Sequence, residues 1–390
     1  MALLRSLDMF SGIGGITHGL RGLCEPVAYC EIDEACRTIL RKLMDKGAIP
    51  RAPLLGDVSS VTAEDVGGSN VDIILAGFPC PGFSAIGKRA GFEHPGSGLF
   101  AHIVRLVDVF DPPFVFLENV PPILSRESGG CQHVCESLGA RGYSARWMIL
   151  PAFAVNGAAP HERKRWFCLC WKPPVHAALQ NDVSEVHEHA SPEPVQRMVI
   201  ETATGHPRRL EQLGNTVVPD VVRAAFCTMW SNMPDCRVAG FVPGPRPFRA
   251  PEAAVGAKEF DTSKPWPPFG MFSGDHRKFL ATAVPSFFRE TRDWDIRLDP
   301  AMFQGTPRNP VTSSLLTSVI HRRAWSTPRR ASGRASNVLT ARSCKDLPTQ
   351  LRYAVDTPDE LRQGCLNPDW LEWLMGFPTG WTSFAKNVDQ

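Results

Sequence analysis

The amino-terminal part of the sequence predicts an α/β fold in which helices cover both faces of a parallel β-sheet. Short apolar runs alternate with helix-like segments over the first 170 residues, an order typical of such sheets. The chain has 390 residues, of which 43% are apolar and 21% charged. This length and composition allow two or three globular domains and exclude a small disulfide-stabilised protein.

Each predicted element follows from the spacing of its apolar residues. The predicted strands are Ser6–Phe10, Val27–Ile32, Val71–Ala76, Phe114–Leu117, Ala145–Leu150 and Trp166–Trp171. The predicted helices are Ile16–Leu23, Asp33–Lys46, Leu99–Phe110 and Cys131–Gly139. Residues 176–207 are polar and are expected to form a loop or insertion. A further helix is expected at Pro219–Met233, after the tight sequence Leu213–Thr216.

A proline-rich stretch divides the chain. Residues 234–268 combine many prolines with several glycines, which excludes regular helix or sheet there. We therefore expect a first domain over residues 1–233, a linker over 234–268 and a smaller, irregular domain over 269–390.

Charge and cysteine content narrow the class of protein. The 42 Lys and Arg residues nearly balance 40 Asp and Glu, so the net charge of +2 identifies no partner. Twelve cysteines are scattered without a repeating frame, as expected of reduced thiols inside a cell. No apolar run reaches the roughly 18 residues of a membrane span, and the amino terminus becomes glycine-rich too early for a signal peptide.

The first candidate site is the loop from Asp8 to Gly15, which ends a strand and opens a helix. Ligands collect at the carboxyl ends of parallel strands, and glycines there expose backbone N–H groups. The dinucleotide pattern G-x-G-x-x-G fails, because Thr17 stands at its third glycine position. Glu31, nineteen residues after Gly12, is nevertheless spaced like an acid that binds a ribose. A nucleoside without a pyrophosphate fits better than NAD, and S-adenosylmethionine is the common one.

Cys80 is the candidate nucleophile. It follows an apolar run and stands between Pro79 and Pro81 in a glycine-rich loop. A thiol is intrinsically very nucleophilic and needs only modest electrostatic help to act as a covalent catalyst. A buried, small apolar side chain is the alternative for any cysteine, but the rigid loop at a strand end favours catalysis.

Two further strand ends carry charged residues. Glu118 follows the apolar run from Phe114, so we expect a partly desolvated carboxyl with a raised pKa that can donate a proton, rather than a solvated acid. Arg163 and Arg165 lie in phase before another strand, which suits the binding of an anion or a carbonyl group. Surface charges are the alternative for these arginines.

Seven sequence blocks between residues 5 and 226 resemble the DNA (cytosine-5)-methyltransferase family, in nearly the family order. They are DMFSGIGG, YCEID, GDV, GFPCPGFSAIGKRAGF, FLENV, HERKRW and LGNTVVP. The stretch from Pro79 to Phe100 is the most specific. The resemblance implies a Rossmann-like, S-adenosylmethionine-dependent methyltransferase sheet with a second, smaller, irregular recognition domain.

The resemblance also implies a catalytic role for five residues. Cys80 would add as a thiolate to carbon 6 of a cytosine flipped out of duplex DNA, because carbon 5 is otherwise a poor nucleophile. Glu118 would hold and protonate ring N3, and Asn119 would support this acid. Arg165, with Arg163, would steady the cytosine carbonyl and the loop.

The cofactor site implied by the resemblance draws on most of the strand ends. The glycine loop would surround the methionine part of S-adenosylmethionine, Glu31 would bind the ribose and Asp57 the adenine. Asn215 and Thr216 would form the opposite wall. The full set of expected cofactor residues is Phe10, Ser11, Gly12, Gly14, Gly15, Glu31, Ile32, Asp57, Val58, Pro79, Asn215 and Thr216.

The sequence departs from the family pattern at three places. Pro81 and His161 each replace a usual glutamine. The block Leu213–Pro219 normally closes the chain, yet too few residues precede it for a recognition region. The tail Leu366–Pro378 resembles what relatives carry just before that block, so we infer that the recognition region has moved behind it. Trp370, Trp373 and Leu374 stand at helical spacing and are expected to pack in a core.

The displaced region is expected to bind DNA. Residues 308–352 hold nine basic side chains against the single acid Asp346, a composition that suits phosphate contacts. The expected DNA-binding residues are Ser84, Arg322, Arg323, Arg329, Arg330 and Arg334.

The leading hypothesis is a monomeric enzyme that methylates cytosine in duplex DNA and uses no metal or membrane. We expect it in the cytoplasm of a prokaryotic or phage-infected cell, or in the nucleus of a eukaryote. Three alternatives remain: an RNA cytosine-5 methyltransferase, an inactive DNA-binding regulator of the same fold, and a thiol hydrolase. The hydrolase would pair Cys80 with His94, His102 or His161, but it leaves the glycine loop and Glu31 unexplained.

Overall fold

The computed structural model divides the chain into two compact units. It describes residues 3–68, 70–79, 98–125, 128–152, 155, 161, 163–172, 197–199, 206–230, 233, 258–259, 266, 269–273, 278–281, 347 and 364–383. The first unit comprises Met1–Leu150, Lys164–Val186 and Val221–Arg289. The second comprises Pro151–Arg163, His187–Asp220 and Glu290–Gln390.

The described residues form twelve strands and seven α-helices. The strands are β1 (Leu4–Met9), β2 (Cys24–Cys30), β3 (Leu54–Leu55), β4 (Ile73–Gly77), β5 (Phe114–Asn119), β6 (Ser144–Leu150), β7 (Arg165–Trp171), β8 (Met198–Val199), β9 (Lys258–Glu259), β10 (Phe269–Ser273), β11 (Lys278–Ala281) and β12 (Cys365–Leu366). The helices are α1 (Gly15–Gly19), α2 (Glu34–Asp45), α3 (Leu99–Phe110), α4 (Gly130–Gly139), α5 (His206–Asn215), α6 (Pro219–Trp230) and α7 (Pro368–Leu374). All six predicted strands and five predicted helices are present, with ends displaced by a few residues.

The first unit contains one mixed ten-stranded sheet in the order β3-β2-β1-β4-β5-β7-β6-β10-β11-β9. The five strands from β3 to β5 are parallel, as predicted. The expectation of a parallel sheet is wrong for the rest, because β7 enters antiparallel between β5 and β6, and β10, β11 and β9 continue antiparallel. Alternating apolar residues cannot distinguish the two directions, so the sequence pattern gave no sign of the reversal.

Strand β5 shows that helices cover both faces of the sheet. All six of its residues are buried. On one face, the Phe116 ring lies 5.3 Å from that of Phe226 in α6. On the other face, Val115 and Leu117 belong to a core that also includes apolar residues of α3 and α4. The α/β class predicted for this part of the chain, a sheet covered by helices on both faces, is therefore confirmed.

The second unit joins distant parts of the chain. Strands β8 and β12 pair antiparallel, and the backbone N–H of Asn367 donates to the carbonyl of Arg197 at 2.9 Å. Two expectations are corrected here: the polar stretch 176–207 contains β8 and the start of α5, and the tight sequence Leu213–Thr216 includes the last turn of α5. The predicted core role of Trp370 and Leu374 is confirmed, since neither has measurable exposure.

The predicted division into residues 1–233, 234–268 and 269–390 stays a prediction. The exclusion of regular sheet from residues 234–268 is wrong, because strand β9 lies there and pairs with β11. Strands β10 and β11 lie at the start of the expected third part, and all three strands extend the sheet of the first unit. Every cysteine within the described ranges is a free thiol. Among those ranges we find no helix long and apolar enough to cross a membrane.

Candidate active site

The parallel strands end together along one edge of the first unit. Met9 at the end of β1 pairs with Cys30 at the end of β2. Cys30 pairs in turn with Leu55 at the end of β3, and Gly77 at the end of β4 pairs with Glu118 in β5. The predicted site residues that follow these strands are therefore brought to the same edge.

The glycine loop after β1 has the backbone geometry of a close-approach site. Phe10, Gly12 and Gly14 have φ angles of +56°, +55° and +82°. A side chain at Gly12 would meet nothing within 4 Å, so space is open beside its backbone. Ser11 closes the turn, because its hydroxyl donates to the carbonyl of Asp8 at 2.8 Å. Gly14 and the following Gly15 are buried at the start of α1.

Glu31 contacts the glycine loop directly. Its Oε2 accepts the backbone N–H of Gly12 at 2.8 Å, and its Oε1 accepts that of Asp33 at the same distance. The nineteen-residue spacing between Gly12 and Glu31 thus corresponds to a contact. The next residue, Ile32, is 71% exposed, which is unusual for a large apolar side chain.

Asp57 and Val58 lie just beyond β3. Asp57 is exposed, and its carboxylate accepts the backbone N–H of Ser59 at 2.8 Å. This hydrogen bond holds the pKa of Asp57 below its ordinary value. Val58 is buried, and its carbonyl accepts from Arg105 at 2.8 Å. The Asp57 carboxylate is therefore ionised at neutral pH and accessible from outside.

Glu118 and Arg165 form a buried ion pair. Arg165 Nε lies 3.0 Å from Glu118 Oε1, and the two side chains are only 16% and 11% exposed. Burial lowers the pKa of Arg165, while the charge of Glu118 opposes that shift. The pair forms because β7 runs antiparallel to β5, which brings the start of β7 to the end of β5.

The Glu118 carboxylate also lies against the end of β4. A Cβ atom at Gly77 would come within 3.2 Å of Glu118 Oε2 and 3.4 Å of Ile16 Cδ1 in α1. The absence of a side chain at Gly77 therefore allows the acid and the glycine-loop helix to approach the same point. Gly77 stands three residues before Cys80 in the chain.

Asn119 holds the segment that leads to Cys80. Its Nδ2 donates to the carbonyl of Phe78 at 3.2 Å, and its Oδ1 accepts the backbone N–H of Val120 at 2.8 Å. Asn119 is 2% exposed, whereas Pro79 is exposed. Asn119 thus fixes the backbone after β4 as well as standing next to Glu118.

The remaining described site residues belong to the second unit. Arg163 is buried and donates to the carbonyls of Gly214, at 3.0 Å, and Thr216. It therefore holds the segment that contains Asn215, which is exposed at the end of α5, and Thr216, which is half-buried. His161 is fully buried. The catalytic role expected of Arg163 stays a prediction.

Several predicted residues lie outside the described residues. They are Cys80, Pro81, Ser84, His94 and the five arginines expected to bind DNA, Arg322, Arg323, Arg329, Arg330 and Arg334. His102, the remaining histidine of the hydrolase alternative, is half-buried in α3. In the part of the chain that the structure describes, no three potential metal ligands cluster.

Sequence reasoning missed two residues of this edge. Gly77 is required by the approach of Glu118, which no spacing indicates. Asp8 is fully buried beneath the glycine loop, and its Oδ2 bonds the hydroxyl of Thr17 in α1. Burial raises the pKa of Asp8 to about 7, although the bond with Thr17 opposes the shift. An acid between the apolar residues Leu7 and Met9 was the available signal for Asp8.

Comparison with known proteins identifies the class. Residues 4–219 match the family model of C-5 cytosine-specific DNA methylases. The Type II methyltransferase M.CviJI of Paramecium bursaria Chlorella virus IL3A is 30% identical over 404 residues, covering 99% of each chain. M.MspI of a Moraxella species is 35% identical over 197 residues, covering 47% of this chain and 44% of that protein. A putative DNA modification methyltransferase from an E. coli prophage has 28% identity and a TM-score of 0.36, over 43% of this chain and 47% of that chain.

The fold and the residues at the strand ends define a Rossmann-like methyltransferase. The chain belongs to the C-5 cytosine-specific DNA methylase family and is a DNA cytosine-5 methyltransferase. Similarity to the viral relative covers 99% of this chain and therefore continues beyond residue 219, where the family match ends. Family membership excludes the thiol hydrolase.

Proposed function

We propose that this enzyme transfers a methyl group from S-adenosylmethionine to carbon 5 of a cytosine flipped out of duplex DNA, through a covalent adduct with Cys80. The names of the relatives suggest a Type II modification enzyme of a restriction–modification system. The observation that carries the proposal is the position of Glu118. Its carboxylate lies 3.0 Å from Arg165 and against Gly77, on the strand that leads to Cys80.

The residues of the first unit fit the cofactor. Gly12 offers open space beside its backbone, Glu31 is fixed against Gly12, and Ile32 presents an exposed apolar side chain. We assign Glu31 to the ribose, and Ile32 and Asp57 to the adenine. When bound, the cofactor supplies an electrophilic methyl group on a sulfonium centre. Asn215 and Thr216 keep the role that the family resemblance implies.

The chemistry of the base depends on Cys80 and Glu118. The Cys80 thiolate adds to carbon 6, and the displaced π electrons make carbon 5 nucleophilic. We assign the protonated form of Glu118 as the donor to ring N3, and this proton neutralises the charge that the ring gains. We assign Arg165, which pairs with Glu118, to orienting this acid and to binding the cytosine carbonyl. After methylation, carbon 5 loses its proton to water, the double bond to carbon 6 re-forms, the thiolate leaves and ring N3 returns its proton to Glu118.

Asn119 acts through the backbone. Its bond to the Phe78 carbonyl holds the segment just before Cys80, so the thiol and Glu118 are attached to neighbouring, mutually bonded strand ends. Such positioning matters because small displacements of reacting groups slow catalysis strongly.

Extrusion of the base costs a few kcal/mol, which contacts with DNA must offset.

A mechanism-based probe tests the proposal. Long duplex DNA of mixed sequence, with every cytosine replaced by 5-fluorocytosine, is incubated with the enzyme and S-adenosylmethionine. Fluorine cannot leave carbon 5 as a proton does, so we expect a denaturation-resistant complex joined at Cys80. Mass spectrometry of the digested complex identifies the modified peptide.

Matched variants and substrates complete the test. Cys80→Ser should form no adduct, and Glu118→Gln should lower the rate of labelled methyl transfer at least about 100-fold, as expected for loss of a general acid. RNA of the same sequence serves as the alternative substrate. An adduct with Cys80→Ser, or methylation of RNA but not DNA, would contradict the proposal.

A further inference from the structure

Arg37 in α2 connects two backbone segments of the proposed cofactor site. Its Nη1 donates to the carbonyls of Glu31 and Ile32, each at 3.0 Å. The same nitrogen lies 3.4 Å from the position that a Cβ atom would occupy at Gly56. Arg37 is therefore bonded to the segment after β2, which carries Glu31, and lies beside Gly56 in the segment after β3, which leads to Asp57.

The orientation of the Arg37 guanidinium is fixed by Glu34. Arg37 Nε donates to Glu34 Oε2 at 2.9 Å, and Nη2 contacts the same oxygen. Arg41 Nη1 holds the other carboxylate oxygen at 2.6 Å. The Arg37 side chain is 21% exposed, whereas that of Arg41 is 52% exposed. Glu34 thus aligns a partly buried guanidinium with the two carbonyls.

We infer that Arg37 is a positioning residue for the nucleoside half of the cofactor site. This inference rests on the proposed function, because it assumes that Glu31 and Asp57 bind the nucleoside. Arg37 sets the spacing of these two carboxylates by bonding the backbone at Glu31 and Ile32 while its guanidinium lies beside Gly56. Neither the glycine loop nor the ion pair of Glu118 with Arg165 depends on this contact.

Loss of the Arg37 side chain should therefore affect nucleoside binding and methyl transfer differently. Without the guanidinium, the carbonyls of Glu31 and Ile32 lose a charged donor, and the Glu31 segment is no longer held beside Gly56. Glu31 keeps its bonds to Gly12 and Asp33, so the methionine half of the site is preserved. Binding of the nucleoside should weaken while the chemistry on the base stays intact.

The test compares Arg37→Met with Arg41→Met in the full chain. Arg41→Met is the control for loss of a charge beside Glu34, because Arg41 donates to the other Glu34 oxygen and leaves the bonds from Arg37 to the two carbonyls in place. Binding of S-adenosylmethionine and of adenosine is measured by calorimetry, and KM and kcat by labelled methyl transfer. Arg37→Met should weaken both ligands about tenfold, the loss expected for one hydrogen bond from a charged donor.

Comparing ligand affinity with kcat distinguishes a positioning role of Arg37 from a general disruption of the folded protein. The kcat of Arg37→Met should stay within about twofold of the wild type, as should every constant of Arg41→Met. Arg37→Lys should recover part of the affinity, because an ammonium group can still donate to these carbonyls. Unchanged adenosine binding in Arg37→Met, or an equal loss of kcat, would overturn the inference alone. Failure of the wild type to bind S-adenosylmethionine would refute the proposed function as well.

Discussion

Asp8 shows how a single buried side chain links the glycine loop to pH. One carboxylate oxygen bonds Thr17, and the other has no hydrogen-bond partner among the described residues. Glu31 adds a second negative charge nearby, which raises the pKa of Asp8 further. Tyr29 of β2 lies opposite Asp8 of β1. It carries no charge at neutral pH, because burial raises its pKa. The neutral acid is therefore the form that this environment favours.

We predict that Asp8→Asn flattens the dependence of stability on pH. An unfolded aspartate ionises near pH 3.9, whereas Asp8 in the folded state has a pKa of about 7. The folded state retains the proton between these values, so stability falls as pH rises from about 4 to about 7. Urea unfolding at pH 5 and pH 8 should show a wild-type loss of more than about 1 kcal/mol that Asp8→Asn lacks.

A control at Asp57 isolates this effect. Asp57 is exposed and its pKa is lowered, so Asp57→Asn should leave the slope between pH 5 and pH 8 unchanged. An Asp8→Asn variant with the wild-type slope would show that Asp8 does not titrate in this range.

The spacing of residues predicts some contacts of the site but not others. Gly12 and Glu31 follow neighbouring parallel strands, so their contact could be anticipated from the α/β pattern. The ion pair of Glu118 with Arg165 could not be anticipated, because it depends on where β7 inserts in the sheet. The resemblance to relatives identified both residues without revealing that they are partners.

At the level of elements, continuous apolar runs were predicted well and short strands were not. Strands β9 to β11 each have five residues or fewer; β9 lies within the proline-rich stretch, and β10 and β11 follow it. Helix α5 was missed because its sequence, HPRRLEQLGN, is mostly polar and only one side of it meets a core. These elements owe their conformation to the partners that they pack against.

Strand β10 depends on a glycine that faces an aromatic ring. A Cβ atom at Gly270 would lie 2.0 Å from Trp147 Cζ2, and the Trp147 ring is 5.5 Å from that of Trp266. On the same strand, Phe272 covers Gly139 of α4, where a Cβ atom would lie 2.4 Å from the ring. Strand β10 can therefore pack here because Gly270 leaves room for the Trp147 ring and Gly139 leaves room for the Phe272 ring.

We predict that Gly270→Val weakens the attachment of β10. The added side chain overlaps Trp147 and should lower the free energy of unfolding by about 1–3 kcal/mol, as overpacking does. Hydrogen exchange of the backbone amides in β10 and β6 provides a local measure. Ser273→Val, at a half-buried position of the same strand, should change both measurements little. Equal effects of the two variants would contradict the role given to Gly270.

At the level of the whole molecule, each compact unit is assembled from three separate stretches of chain. In the second unit, Glu372 of α7 is fully buried and accepts hydrogen bonds from Arg209 of α5, at 2.8 Å, and from the backbone N–H of Thr382, at 2.7 Å. The tail thereby holds the helix that ends in Asn215. A linear division at the proline-rich stretch could not foresee a unit built this way.

We predict that Glu372→Ala destabilises the second unit strongly. It leaves buried donors of Arg209 and Thr382 without their acceptor, a loss of about 3–5 kcal/mol. Asp369 also pairs with Arg209, but its side chain is 45% exposed, so Asp369→Ala should cost less than about 1 kcal/mol. The rate of limited proteolysis within α5 is measured for Glu372→Ala and for Asp369→Ala. Comparable cleavage of the two variants would show that the buried contact has no special weight.

The antiparallel pairing of β7 with β5 makes the contact of Arg165 with Glu118 sensitive to the register of these two strands. Successive residues of a strand alternate between faces, so a slip of β7 by a single residue would turn Arg165 away from Glu118. Lengthening the connection before β7 need not cause such a slip, whereas deleting one residue inside the strand would. Natural variation in length should therefore be tolerated upstream of Arg165 and rejected between Arg165 and Trp171.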